Sequence, residues 1–254
     1  MAVSGINNQV AASYEKLSSM KQINKAADNA AGLAIVSKME SQTNGYEVGE
    51  RNAQTGQDLL KTADSALGSI TDSLQRIREL SVQASNAIYT PEDKAAIQEE
   101  ISGLMAGIQG VAKNTEFNTL KLLDGSMADL QLATNPEGNG MKIQMANATL
   151  EALGIEDYDV TGNFDISQID KAIEMVTSAR SSLGASSNAI EHTISYSQIA
   201  SENLTAASSR IEDLDAAKEV SEMKKNEIIQ QYQLFVQRAK QEEEQKKAGI
   251  LNFL

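Results

Sequence analysis

The chain has one histidine, His192, set between Glu191 and Thr193. A metal centre or a nucleophile–base pair needs several titratable groups converging, and nothing near His192 in the sequence supplies them, so it reads as a solvated helix residue. The paired acids Asp213 with Asp215 and Glu242 with Glu244 stand two apart. On a helix that spacing sends them to different faces, which suits solvation better than a catalytic dyad. The run Asn135-Pro136-Glu137-Gly138-Asn139-Gly140 lacks the Lys followed by Ser or Thr that completes a phosphate-binding loop and reads as a hairpin turn. Met39, Met105, Met127, Met141, Met145 and Met223 are scattered as core fillers rather than gathered into a groove. The absence of cysteine removes disulfides and thiolate metal sites and fits a chain that must stay threadable. Neither enzyme chemistry nor a cofactor is expected. What stands out instead is an apolar end: Ile250, Leu251, Phe253 and Leu254 follow a charged run at Gln241–Lys247. Burying four such side chains is worth roughly 6–12 kcal/mol at about 1.5–3 each, comparable to the stability of a domain, so the tail demands a partner surface.

The elements that carry these residues are helical. Of 254 residues 41% are hydrophobic, yet only 4% are aromatic, there is no Trp, and the only prolines are Pro91 and Pro136. Ala, Gln, Ser, Ile and Leu fill the chain as they do in long helices. A net charge of 22 − 35 = −13 repels phosphate backbones and anionic bilayers, so nucleic acid is not an expected partner. No apolar run is long enough to span a bilayer, and Met1–Met20 is not built as a signal peptide, which predicts neither membrane insertion nor the ordinary secretory route.

Val3, Ile6, Val10, Tyr14 and Leu17 recur at helical steps and predict a short amphipathic helix. From Leu60 the apolar positions run Ala63, Leu67, Ile70, Leu74, Ile77, Leu80 with Ser81, and Ala84, the three-four alternation of a coiled-coil seam. Thr90-Pro91-Glu92-Asp93 then supplies an N-cap, a proline at the first helical position and acids over the positive end of the dipole. The helix it starts repeats the rhythm through Ile97, Ile101, Leu104, Ile108 and Val111, as an antiparallel partner of the one before. Leu130 and Leu132, then the turn, then Met141, Ile143 and Met145 predict a β-hairpin. Helical pattern resumes at Ile166 and runs to about Gln241, a length of about 110 Å at 1.5 Å per residue. The predicted fold is mainly α: an elongated antiparallel coiled-coil or helical-bundle rod with a small β-hairpin region and both termini at one end. Beside the seam, Arg76, Leu80 and Gln83 fall at steps of four and three, a spacing that makes a contiguous surface stripe suited to recognition.

The segment "EKLSSMKQINKAADNAAGLAIVSKM" at Glu15–Met39 closely resembles the N-terminal signature of bacterial flagellins. "RNAQTGQDLLKTADSALGSITDSLQRIRELSVQASN" at Arg51–Asn86 and "EFNTLKLLDG" at Glu116–Gly125 are similar to the rest of the amino half of that family, and "ARSSLGASSNAIEHTI" at Ala179–Ile194 with "SENLTAASSRIEDLDAAKE" at Ser201–Glu219 to the carboxy half. The resemblance implies a filament subunit in which residues 1–40 are the N-terminal helix and linker of an inner-tube domain. Residues 41–125 are then the first half of the rod, 126–165 its hairpin and loop, 166–212 its second half, and 213–254 the C-terminal inner-tube helix. The variable outer domains are missing between Gly125 and Ile166. Two departures fall in the inner-tube helices: a segment before the first motif shorter than in most family members, with Met20 where Gly is expected, and Glu242, Glu243, Glu244, Lys246 and Lys247 where the family has a neutral Asn- and Gln-rich stretch.

The family resemblance also implies sites and partners. Self-assembly is expected at Val3, Ile6, Val10, Tyr232, Phe235, Ile250, Leu251, Phe253 and Leu254, the alternative being a tail folded back on Val3, Ile6 and Val10 of its own chain. The expected partners are other flagellin subunits, an export chaperone at the C-terminal helix, hook-associated and cap proteins, and the vertebrate Toll-like receptor that senses flagellin, at Arg76, Leu80, Gln83 and Glu100. The expected location is the extracellular filament, reached through the flagellar export apparatus without a cleaved signal peptide. A hook–filament junction protein or a minor, poorly polymerising paralogue is the alternative within the same apparatus. An intracellular coiled-coil scaffold is the alternative of another class, and it predicts continuous heptads with no hairpin at Leu130–Met145.

Overall fold

The structure, a computed structural model, describes residues 2–251 and, of their side chains, residue 5 and residues 7–247. The elements in chain order are α1 (Ala2–Ser19), α2 (Ala26–Ala84), α3 (Pro91–Asn114), β1 (Glu116–Phe117), β2 (Leu120–Lys121), β3 (Asp129–Ala133), β4 (Gly140–Gln144), α4 (Leu150–Leu153), α5 (Ser167–Glu212) and α6 (Ala216–Leu251). They form two units, one of Met1–Gln42 with Glu202–Leu254, the other of Thr43–Ser201.

In the Thr43–Ser201 unit the core is a three-helix seam. Ala63, Leu67, Ile70, Leu74, Ile77, Leu80 and Ala84 of α2 are all buried, against Ile97, Ile101, Met105 and Ile108 of α3 and Ile169, Val176, Leu183 and Ile190 of α5. The seam also takes in two hydroxyls, which return to their own helix: Thr71 Oγ1 donates to Leu67 O at 2.8 Å and Ser81 Oγ to Ile77 O at 2.6 Å. Back-bonding of this kind removes the penalty of burying a hydroxyl among aliphatic groups. Half-exposed ion pairs flank the seam, Arg180 to Asp64 at 2.8 Å and Arg78 to Asp170 at 2.6 Å. At that exposure each contributes about 0–1 kcal/mol, so they bias helix register more than they add stability.

The start of α3 is as the sequence predicts. Thr90 Oγ1 accepts from Asp93 N at 3.2 Å, Asp93 Oδ2 accepts from Thr90 N at 2.9 Å, and Pro91 takes the first turn. This is a reciprocal capping box.

The predicted hairpin is present, with Leu130 opposite Ile143 and Leu132 opposite Met141. It lies across α2 where Gly45, Gly49 and Gly56 present no side chain: Pro136, the Thr134 backbone and Leu132 occupy the space their Cβ atoms would need. Asn52 Nδ2 then reaches the Ala133 carbonyl at 2.9 Å. A second, two-residue hairpin, β1–β2, turns on Asn118 and Thr119 at φ 48 and 67. Two consecutive positive φ values match the twist of a tight hairpin. The loop between α4 and α5 is stitched to α3 by Gln98, which donates to Tyr158 O at 3.1 Å and accepts from Val160 N at 2.8 Å.

One expectation is corrected. The helical run from Ile166 to about Gln241 is not continuous: α5 ends at Glu212 and α6 begins at Ala216. Asp213 accepts from Ser209, and Asp215 Oδ1 accepts from Lys218 N at 3.0 Å. Short carboxylates that bond nearby groups of the chain end one helix and cap the next without any proline or glycine.

Candidate assembly surface

In the Met1–Gln42 and Glu202–Leu254 unit, α1 and α6 pack antiparallel through polar groups. Ser13 Oγ donates to Glu219 Oε1 at 2.7 Å, Tyr14 OH to Glu227 Oε1 at 3.2 Å, and Gln230 Nε2 to Asn7 Oδ1. Met223 is the one large aliphatic side chain of α6 that is buried among the described residues.

Met223 and the half-buried Val236 apart, the large apolar side chains of the described part of α6 are exposed. Ile228, Tyr232 and Phe235 are 66%, 67% and 70% exposed, while Ile229 and Leu234, on opposite flanks of the helix, are 36% and 40% exposed. Steps of four and three place the first three on one face. A helix that spends its polar face on its neighbour and offers its apolar face outward is the reverse of an ordinary amphipathic helix in a closed domain.

Among the expected assembly residues, Tyr232 and Phe235 therefore sit on an exposed apolar strip, and Val10 is half-buried on α1. The side chains of Val3, Ile6, Ile250 and Leu251, and the whole of Phe253 and Leu254, lie outside the described residues. The sequence reading missed Ile228. Its signal was available in the spacing 228, 232, 235.

The stripe beside the seam needs correcting. Leu80 is 2% exposed and belongs to the core of the Thr43–Ser201 unit. It cannot sit both in the three-four seam and on the adjoining face, and the seam holds it because Ile77, Leu80 and Ala84 continue one inward line. Arg76, Gln83 and Glu100 are exposed. The outer edge is polar: Arg76 reaches Glu100 at 2.8 Å and Glu79 at 3.2 Å, and Gln83 Nε2 donates to Tyr89 OH at 3.0 Å.

His192 is an exposed residue of α5. Among the described residues no three His, Asp or Glu side chains converge in a way that could hold a metal ion, and no helix is long and apolar enough to cross a membrane.

Comparison with known proteins fits this arrangement. The family model described as the bacterial flagellin N-terminal helical region matches residues 2–128, and that of the bacterial flagellin C-terminal helical region matches residues 166–253. The flagellin of Halalkalibacterium halodurans is 41% identical over 235 residues, covering 89% of this chain and 86% of the relative. That of Bacillus subtilis is 40% identical, covering 90% and 88%. The flagellar filament 33 kDa core protein of Treponema phagedenis is 37% identical, covering 89% and 86%. The crystal structure of Bacillus cereus flagellin superposes with a TM-score of 0.52 at 26% identity over 58% of this chain and 88% of that one. A putative flagellar hook-associated protein of Vibrio parahaemolyticus shares the fold, with a TM-score of 0.57 at 14% identity over 73% of this chain and all of that one. With both terminal regions matched and relatives alike over most of their length, the chain belongs to the bacterial flagellin family, whose members are structural subunits of the flagellar filament.

Proposed function

We propose that this flagellin polymerises through the α1–α6 pair, with the outward apolar strip of α6 as its contact with neighbouring subunits. The observation that carries the reading is the exposure of Ile228, Tyr232 and Phe235 on a helix whose inward face, Met223 and Val236 apart, is polar. Burying three such side chains contributes about 1.5–3 kcal/mol each, enough to drive association between copies held at high local concentration. Val3, Ile6, Ile250, Leu251, Phe253 and Leu254 extend the same surface in this reading.

The chain is read as a non-enzymatic filament protein, exported by the flagellar apparatus without a cleaved signal peptide. An export chaperone covers the apolar strip of α6 beforehand, and hook-associated and cap proteins meet the subunit at the filament ends. Recognition by the Toll-like flagellin receptor rests on the exposed Arg76, Gln83 and Glu100 rather than on Leu80.

Electron microscopy and sedimentation of the purified full chain test the assembly surface. The wild type is expected to form filaments, and the Tyr232→Ser/Phe235→Ser variant to stay soluble with the same far-ultraviolet circular dichroism. Filaments of normal yield from the variant would put the contact elsewhere.

A further inference from the structure

Tyr46 of α2 and Tyr196 of α5 meet edge to face, with ring centroids 6.0 Å apart and planes at 76° to each other. Among the described residues no other two tyrosine rings are in contact. That distance is ordinary for an aromatic pair, but these rings also bring their hydroxyls together. The Tyr46 phenol is held above its ordinary value of 10.0, first by the Tyr196 hydroxyl and then by burial. Neighbouring hydroxyls make neighbours of the ring carbons ortho to them. Tyr46 is half-buried, whereas Tyr196 is 62% exposed. A solvent-borne oxidant therefore meets Tyr196 first, and the Tyr196 ring can turn about χ2, a torsion with a broad two-fold profile.

The surroundings hold the pair in place. Gln198 Nε2, two residues beyond Tyr196, donates to Glu50 Oε1, one helical turn beyond Tyr46, at 2.7 Å. Gly45, the chain neighbour of Tyr46, lies so close to Pro136 of the hairpin that a Cβ would not fit. Both helix backbones are thus fixed where the rings meet.

The place of the pair in the chain gives it a use. Tyr46 stands just inside the start of the Thr43–Ser201 unit and Tyr196 just inside its end, so nearly the whole unit lies between them in sequence. The chain has no cysteine with which to close that loop as a disulfide. It also has neither a thiol nor a Trp to take up oxidising equivalents before tyrosine does.

We propose that Tyr46 and Tyr196 are an oxidative cross-linking site, at which hydrogen peroxide acting through a haem peroxidase joins α2 to α5 as dityrosine. Each phenol gives up one electron and its hydroxyl proton and becomes a phenoxyl radical. The two radicals pair their electrons in a new bond between ortho carbons, and the hydrogen on each of those carbons moves through solvent to the oxygen, restoring both rings and both hydroxyls. The two electrons and two protons removed reduce one hydrogen peroxide to two waters. Rings already held in contact couple within the chain in preference to a chance encounter between chains. The bond encloses nearly the whole unit in one covalent loop, and a constraint on the unfolded chain stabilises more the longer the loop it closes. None of this depends on where subunits touch.

The test treats the full-length protein, at a dilution where it is monomeric, with a haem peroxidase and limiting hydrogen peroxide, and recovers the monomer by gel filtration. The expected product is lighter by two hydrogen atoms, and its digest contains the Tyr46 peptide joined to the Tyr196 peptide. Tyr46→Phe and Tyr196→Phe keep the ring and should fold as the wild type does, but each should lose the joined peptide and most of the dityrosine fluorescence of the monomer. At a fixed denaturant concentration the linked wild type should show a ratio of unfolded to folded chain lower by about tenfold or more. A wild-type monomer without the joined peptide overturns the proposal, as does fluorescence undiminished in both Phe variants. A linked chain that unfolds at the midpoint of the unlinked one overturns it as well.

Discussion

A Cβ placed on Gly49 would lie 2.7 Å from the carbonyl carbon of Thr134 and closer still to its oxygen. The β3–β4 hairpin thus rests on the bare backbone of α2, and Asn52 fastens it there through the Ala133 carbonyl. Gly49→Ala forces backbone, not a flexible side-chain end, to move, so the hairpin must lift. The expected cost is about 1–3 kcal/mol. Gly103→Ala on α3 meets nothing within 4 Å and should instead stabilise by about 0.5–1 kcal/mol through helix propensity. Thermal unfolding followed by circular dichroism reads both, and shifts of the same sign in the two variants would refute the close approach as the cause.

Leu80 gives the second prediction. A carboxylate placed there enters the seam beside Ile77 and Ala84 with no cation facing it, so Leu80→Glu should destabilise the Thr43–Ser201 unit by about 3 kcal/mol or more. Gln83→Ala, three residues on but exposed, should change stability by about 0.5 kcal/mol at most. Denaturant melts of the two variants settle the face on which Leu80 lies; equal midpoints would return it to the surface stripe.

The cap of α3 carries a pH dependence whose sign follows from Asp93. Hydrogen bonds from the Thr90 backbone and then its side chain hold the Asp93 carboxyl below its ordinary value of 3.8. A lowered folded-state pKa contributes stability that is present above the unfolded value and is lost as pH falls through the lowered one. The capping contribution is therefore intact at pH 7 and at pH 5, and fades as pH falls below 3.8. Asp93→Asn should flatten that part of the stability profile. An acid limb of unchanged steepness in the variant would show that other carboxylates set it.

The seam, the capping box and the main hairpin were legible because each leaves a periodic or positional mark: three-four spacing of Leu and Ile, Thr-Pro-Glu-Asp before a helix, alternation on either side of a Pro-Gly turn. The break at Asp213–Asp215 left none, since carboxylates end α5 and cap α6 where no Gly or Pro stands. Two-residue strands such as β1 and β2 are too short to show alternation. The packing of α1 on α6 was hidden for a deeper reason. Hydrophobic periodicity assumes that the apolar face is the inward one, whereas Ser13, Asn7 and Glu219 make the contact and Tyr232 and Phe235 face out. Leu80 was ambiguous because the same residue satisfies the seam spacing and the stripe spacing, and only packing decides between them.

The last prediction concerns the carboxylates two turns beyond Phe235. Glu242, Glu243 and Glu244 are exposed on α6, the helix whose apolar strip is proposed as the contact between subunits. Copies brought together along that strip place like charges near one another, and Lys246 and Lys247 offset them only where they reach a neighbour's acids. The Debye length falls from about 30 Å at 0.01 M salt to about 3 Å at 1 M, so repulsion between the runs is strong at the first and nearly absent at the second. Polymerisation of the wild type should therefore be slow and incomplete at low salt and rise steeply as salt is added. The Glu242→Gln/Glu243→Gln/Glu244→Gln variant should assemble well at both ends of the range, its scattering curve nearly flat in salt. Light scattering and sedimentation of the two proteins across the series decide the matter. Superimposable assembly curves at every concentration would mean that the three carboxylates face open solvent in the polymer and do not oppose its growth.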